Sequence, residues 1–246
     1  MIPIYDVLSQ NQVSQIHQAA LEVLAKVGVA VEHAKAQEAL QSEGAQLSSN
    51  GKRLLISPPV VEKLLARAPK EFLCAAPDPA NDMIMKLGQT YTRQGGGPFS
   101  FYDMRTQSAR PLTLSDARDS VRLINGLPHI NAPSTITPGD VPVATYDIRA
   151  VKTVLEHTRK HFWALTTSSK NLRYELEMAS VVAGGRENLQ KRPNLSGIFC
   201  VIAPLRFPPD EIDRLIIYGE YGVNVMTPLT VLMGGSAPYT MAGCMT

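Results

Sequence analysis

Cysteine is scarce in this chain, and what there is does not pair. Cys74, Cys200 and Cys244 are the three in 246 residues. They are odd in number and widely spaced, which excludes a disulfide framework and a zinc-finger pattern. Reduced thiols and a cytoplasmic location are the expectation. No stretch reaches the ~20 consecutive apolar residues of a membrane span. Residues 1–6 lack a basic region followed by an apolar core, so no signal peptide is expected. Basic clustering is also missing. The net charge is +2 and the Lys and Arg are scattered, which argues against nucleic acid as a partner. The short Arg159-Lys160-His161 cluster sits at a predicted helix end, where the macrodipole favours cations. The five histidines, His17, His33, His129, His157 and His161, show no metal-ligand spacing. No G-x-G-x-x-G follows the first long apolar run, which counts against a dinucleotide-binding oxidoreductase.

What the chain does have is alternation. Apolar, β-branched runs at 129–135, 161–167, 197–203 and 223–227 are separated by helical patterns at 144–158, 171–183 and 209–221. Strand and helix in turn predict a parallel sheet covered by helices. Four steps at roughly 30-residue spacing are half of a closed eight-fold barrel, which takes about 250 residues in all. The expected fold class is α/β: about the first half of a (β/α)8 TIM barrel, truncated. Residues 129–246 form that half and residues 1–70 an N-terminal helical extension. The small β meander and its linking helix occupy 71–128.

In the extension, Val13, Ile16, Ala20, Leu21, Leu24 and Val27 have helical spacing, with Gly28 placed to end the helix. A second helix is expected over 34–42. Ser57-Pro58-Pro59 reads as the start of a third. The meander is expected from strands at 72–75, 83–87, 89–93 and 99–103, broken by Pro77-Asp78-Pro79, Gly88 and the 95–98 Gly-Gly-Gly-Pro run. Thr113 to Asp116 has capping character before a helix to Asn125.

In a parallel β-α fold, chemistry gathers at the carboxyl ends of the strands. Here those ends carry hydroxyls, small residues and prolines: Thr166 after the second strand, and Thr240 in the 234–240 segment that looks set to launch another helix. Asp140 is the one rim carboxylate. It reads either as a turn former in Pro138-Gly139-Asp140 or as the counter-charge to a cationic substrate. The 95–98 glycines lack the following helix that a phosphate cradle needs. They deliver Phe99, Phe101 and Tyr102 to a hairpin. These aromatics read either as packing within their own domain or, for Tyr102, as a cap on a quaternary ammonium by cation–π attraction. Tyr102, Asp140, Thr166 and Thr240 are therefore the candidate substrate-binding residues. No catalytic residue and no metal ligand set is identified.

Several segments, in order, resemble the trimethylamine methyltransferase family. They are IHQAALEVLAKVGVAVEH at 16–33, ISPPVVE at 56–62, APK at 68–70, GGGPFSFYD at 95–103, RPLTLSD at 110–116, PGDVP at 138–142 and GGSAPYTMAG at 234–243. The family is corrinoid-dependent and includes non-pyrrolysine relatives acting on betaines. The resemblance implies a barrel with a helical extension and a reaction. A methyl group would pass from trimethylamine, glycine betaine or a related quaternary amine to the cobalt of a corrinoid (cobalamin). A separate corrinoid protein would carry that cofactor. The amine leaves neutral, so no Lewis acid is required, and catalysis is mostly positioning. Members are about twice this length, and the pyrrolysine position falls in the half not represented. A homo-oligomer is expected. The competing expectation is a catalytically inactive, truncated relative that acts as an interaction protein.

Overall fold

The computed structural model describes residues 8–228, 232–241 and 243. The chain forms two compact units. One comprises Met1–Pro69, Cys200–Ile212 and Pro228–Thr246; the other comprises Lys70–Phe199 and Asp213–Thr227.

The first unit starts with α1 (Gln10–Lys26), held by a reciprocal capping box between Ser9 and Gln12. Gly28 ends it at φ +70°, and a Cβ there would lie 2.3 Å from the Leu54 carbonyl oxygen. Only glycine tolerates both the dihedral and the contact. β1 (Ala30–Val31), α2 (Ala34–Ser42), the antiparallel pair β2 (Gln46–Leu47) and β3 (Leu54–Leu55), and α3 (Pro58–Leu65) follow. Prolines do start α3 as expected, but the Ser57 side chain makes no capping bond. Val29, Val31, Ala45, Leu54, Ile56 and Ile212 form the core of this unit. β1 pairs in parallel with β10 (Arg206–Phe207), through Ala30–Arg206 and Val31–Phe207. Neither short strand carries a periodicity long enough to read. Residues 232–237 form a turn, with the Ser236 and Ala237 amides donating to the Leu232 carbonyl, and Met241 and Gly243 after it are helical, Thr240 accepting from the Gly243 amide. Cys244 lies outside the described residues.

In the second unit, the meander is two separate hairpins. β4 (Glu71–Cys74) pairs with β5 (Met83–Lys86), and β6 (Ser100–Asp103) with β7 (Ser108–Pro111). The expected strand at 89–93 joins neither. Instead Arg93 bridges Ala132 in parallel, with the Asn131 amide on the Thr92 carbonyl (2.8 Å) and the Gln94 amide on the Ala132 carbonyl (3.0 Å). The Asn131 side chain also takes the Thr92 amide at 2.9 Å. A partner about 40 residues away outcompetes the local hairpin because it offers these backbone and side-chain bonds together.

α4 (Leu114–Gly126) is opened by a Thr113–Asp116 capping box. Then comes the parallel series: the bridge Ser134–Trp163, α5 (Tyr146–His157), β8 (Phe162–Trp163), α6 (Ser169–Ala183), α7 (Arg186–Lys191), β9 (Leu195–Ile198), α8 (Pro209–Glu220) and β11 (Val225–Met226). β8, β9 and β11 lie side by side in that order, all parallel. With the two bridges, the ladder runs from residue 93 through 132–134 to β11, and among the described residues it does not close into a barrel. The strands are shorter than the apolar runs. β9 ends at Ile198, and the Cys200 amide turns to the Glu211 carboxylate at 3.0 Å. Cys200 is thus half-buried after the strand, not inside it. Gly197 explains the position of β9: a Cβ there would lie 2.2 Å from the Tyr218 ring. The aromatic ring packs directly on the strand backbone. Val121, Val151, Val154, Phe162, Leu172, Leu176, Leu195 and Tyr218 belong to the resulting core between sheet and helices.

Candidate active site

Strand alternation sorts the sheet of the second unit into two faces. Phe162, Leu195, Gly197 and Val225 are paired in register and face the helices. Trp163, Ser196, Ile198 and Met226 are paired on the other face, where Trp163, Ile198 and Met226 pack with Cys74, Met83, Met85, Tyr91 and Ala132.

At the amino ends of the strands this second face is closed by polar bonds to the β4 segment. His161 bonds the Ala75 carbonyl through Nδ1 and Ser196 Oγ through Nε2, both at 2.8 Å. Asn224 donates to the Leu73 carbonyl at 2.7 Å. Burial holds the imidazole well below its usual range, at about 4, so it is neutral and bonds through one N–H. The Ser–His pair resembles a nucleophile and its base, but both residues are fully enclosed. Its position at the amino ends makes it a structural tie.

The same face carries Ser134 and Trp163, in register with Ser196, and Arg93, which pairs with Ala132. The Arg93 guanidinium lies 5.6 Å from the Trp163 ring centroid and donates to Ser134 Oγ at 3.3 Å. The Ser134 hydroxyl donates to the Gln94 carbonyl at 2.8 Å. Arg93 is solvent-exposed. This face of the sheet therefore holds a cation that the sequence pattern assigned to a hairpin.

Of the four candidate residues, Tyr102, Asp140 and Thr166 lie in the second unit, each with its own surroundings, and Thr240 lies in the first. Tyr102 is 56 % exposed on β6. Its neighbour Phe101 is covered by the Arg110 guanidinium, 4.9 Å from the ring centroid. Asp140 accepts from the Leu114 amide at 2.8 Å and so holds the start of α4. Thr240, in the first unit, is exposed and accepts from the Gly243 amide at 3.1 Å. Thr166 is buried on the helix-facing side, donating to Glu175 Oε2 at 2.5 Å and lying 3.5 Å from the Tyr218 hydroxyl. Arg214 donates to the Thr166 carbonyl at 2.5 Å.

Glu175 was legible only as one residue of a helix. It is 0 % exposed, and its Oε1 has no hydrogen-bond partner among the described residues. Desolvation raises its pKa to about 8, outweighing the opposing Thr166 hydrogen bond. Asp147, fully buried beside it in the helix layer, is by contrast satisfied by Thr167, Ile148 and Asn171. The described residues hold no group of three His, Cys, Asp or Glu side chains arranged for a metal ion. None of their helices is long and apolar enough to cross a membrane.

A family model described as trimethylamine methyltransferase (MTTB) matches residues 1–246. Glycine betaine methyltransferase of Desulfitobacterium hafniense (strain Y51) is 24% identical over 245 residues, covering 99% of this chain and 50% of its own length. Trimethylamine methyltransferase MttB of D. hafniense (strain DSM 10664 / DCB-2) is 25% identical over 236 residues, 96% of this chain and 48% of its own. MttB of Methanosarcina barkeri (strain Fusaro / DSM 804) is 23% identical over 247 residues, 97% and 49%. The chain thus spans about half the length of the curated relatives it matches. The hydroxylamine complex of MtmB superposes with a TM-score of 0.63 at 12% identity, over 93% of this chain and 47% of that one, a likeness of fold. With the whole sequence inside the family model, the chain belongs to the trimethylamine methyltransferase family.

Proposed function

We propose that the protein takes part in methyl transfer from a methylated amine to the cobalt of a corrinoid carried on a separate protein. A Co(I) centre would supply the electron pair of the new Co–C bond, and a quaternary or protonated nitrogen would leave as the neutral amine with the pair from the broken C–N bond. No proton needs to move at the reacting carbon, so the protein's task is to bind, orient and exclude water. The observation that carries the reading is the family match over residues 1–246. It is supported by the names of the relatives.

The parallel ladder is read as the first half of a (β/α)8 barrel, supported by its sequence-ordered strands and by the MtmB superposition. Tyr102 is assigned to the ammonium group, because its ring is exposed while that of Phe101 is occupied. Asp140 is proposed as a further substrate contact of the second unit; Thr166 is turned to the helix layer and Thr240 belongs to the first unit, so neither is assigned to the ammonium group. A cytoplasmic homo-oligomer is part of the same proposal.

The test is to incubate the protein with trimethylamine or glycine betaine and a reduced corrinoid protein. Demethylated amine is then followed by NMR. Product formation above the protein-free rate is expected. Ligand binding without any product would favour the alternative, a catalytically inactive relative that acts as an interaction protein.

A further inference from the structure

We infer that Arg93 selects methylated amines that also carry a carboxylate, by binding that carboxylate beside Trp163 and Ser134. The inference rests on the methyl-transfer reading and names the substrate class within it.

Arg67, Arg110, Arg118, Arg173, Arg192 and Arg206 each pair with a carboxylate. Arg93, like Arg53 and Arg186, meets no carboxylate among the described residues, and it differs from those two in donating to a hydroxyl rather than to a backbone carbonyl. Its contacts are the Trp163 ring and Ser134 Oγ. Those two contacts hold the guanidinium without neutralising it. A guanidinium carries its N–H donors in one plane, the arrangement that takes a carboxylate through two parallel bonds. Ser134 gives its own proton to the Gln94 carbonyl, which leaves its oxygen as an acceptor that fixes Nη1. The remaining donors border solvent, on the face where Ile198 and Met226 supply apolar surface.

A substrate that is only a cation gains nothing beside Arg93 and is repelled by it. A betaine-type zwitterion reverses that sign at one end. Its carboxylate meets the guanidinium, and its methylated nitrogen is directed away. One charge would then both choose the substrate and orient its methyl groups.

Trp163 is the sole tryptophan, so its fluorescence reports on this site. The experiment titrates the full chain with glycine betaine, choline and tetramethylammonium. It uses the natural protein, Arg93→Gln and Arg93→Lys, with circular dichroism confirming the fold. The natural protein should prefer glycine betaine over choline. Arg93→Gln should cut that preference at least ten-fold, by weakening betaine alone, and Arg93→Lys should fall between. A purely structural role would weaken all three ligands together, leaving the preference unchanged, and that result overturns the inference. So does tighter binding of choline or tetramethylammonium than of betaine by the natural protein, which leaves the methyl-transfer reading standing. Binding of none of the three, nor of trimethylamine in the same titration, defeats both.

Discussion

The hydroxyl of Thr166 donates to Glu175 at 2.5 Å inside the helix-facing layer, where the other carboxyl oxygen of Glu175 meets no donor among the described residues. A carboxyl group so placed folds more readily protonated than ionised. Its folded pKa, about 8, lies above the ordinary carboxylate value. Its contribution to stability is therefore full below about pH 4.5 and is lost as pH rises toward 8. Thermal melts should show a decline over that window on the order of 2–4 kcal/mol. Glu175→Gln, which can still accept from Thr166, should flatten it.

His161 predicts the opposite slope at lower pH. Its folded pKa is depressed to about 4 by burial. Stability is then full above about pH 6.5 and falls as pH drops toward 4, by roughly 2–3 kcal/mol. An NMR titration of the imidazole should show it neutral until close to pH 4. A midpoint near 6.5 would refute its enclosure.

Lys160 is 4 % exposed, and its ammonium donates to the carbonyls of Ile124, Leu127 and Ile130 at 2.9, 2.6 and 2.6 Å. It closes the carboxyl end of α4, where a cation meets the negative end of the helix dipole. Lys160→Met would strand three carbonyls and should cost about 3 kcal/mol in urea unfolding. Arginine, a planar fork, should not restore it.

Gly197→Ala would push a methyl group into the Tyr218 ring. Overpacking here should cost on the order of 3 kcal/mol, since both partners are core. Tyr218→Leu in the same chain should recover part of the loss. A double-mutant cycle measures that coupling.

Asp140 separates two roles. Losing its bond to the Leu114 amide should cost on the order of 1 kcal/mol in Asp140→Ala, seen as a lower melting temperature. If Asp140 also faces the substrate, affinity for a methylated amine falls in Asp140→Asn as well.

Much of the architecture was legible where one chemical signal acts locally. The bounds of α2 follow from its pattern, and α4 from its capping box. The order of the parallel series follows from alternation, and the family follows from motifs spread along the chain. Legibility fails where a distant partner decides. Residues 89–93 look like a hairpin strand until Asn131 and Ala132 are available to them. Nothing in the sequence placed Arg93 beside Trp163, for the same reason. α7 contributes one buried side chain, Leu189, too little for a periodic signal. Thr166 lies where a strand end was expected, but a strand alternates faces, and one residue decides whether a hydroxyl meets solvent or a helix.

The ties beneath the sheet also set an order of events during synthesis. The Leu73 carbonyl is held by Asn224, 151 residues further along. At about 5–20 residues per second, the β4–β5 hairpin waits roughly 8–30 seconds for that partner to be made. Over that interval Cys74 and Met83 lack part of their native cover. A nascent chain stalled before residue 224 should therefore be a better client for a holding chaperone than one stalled just after β11.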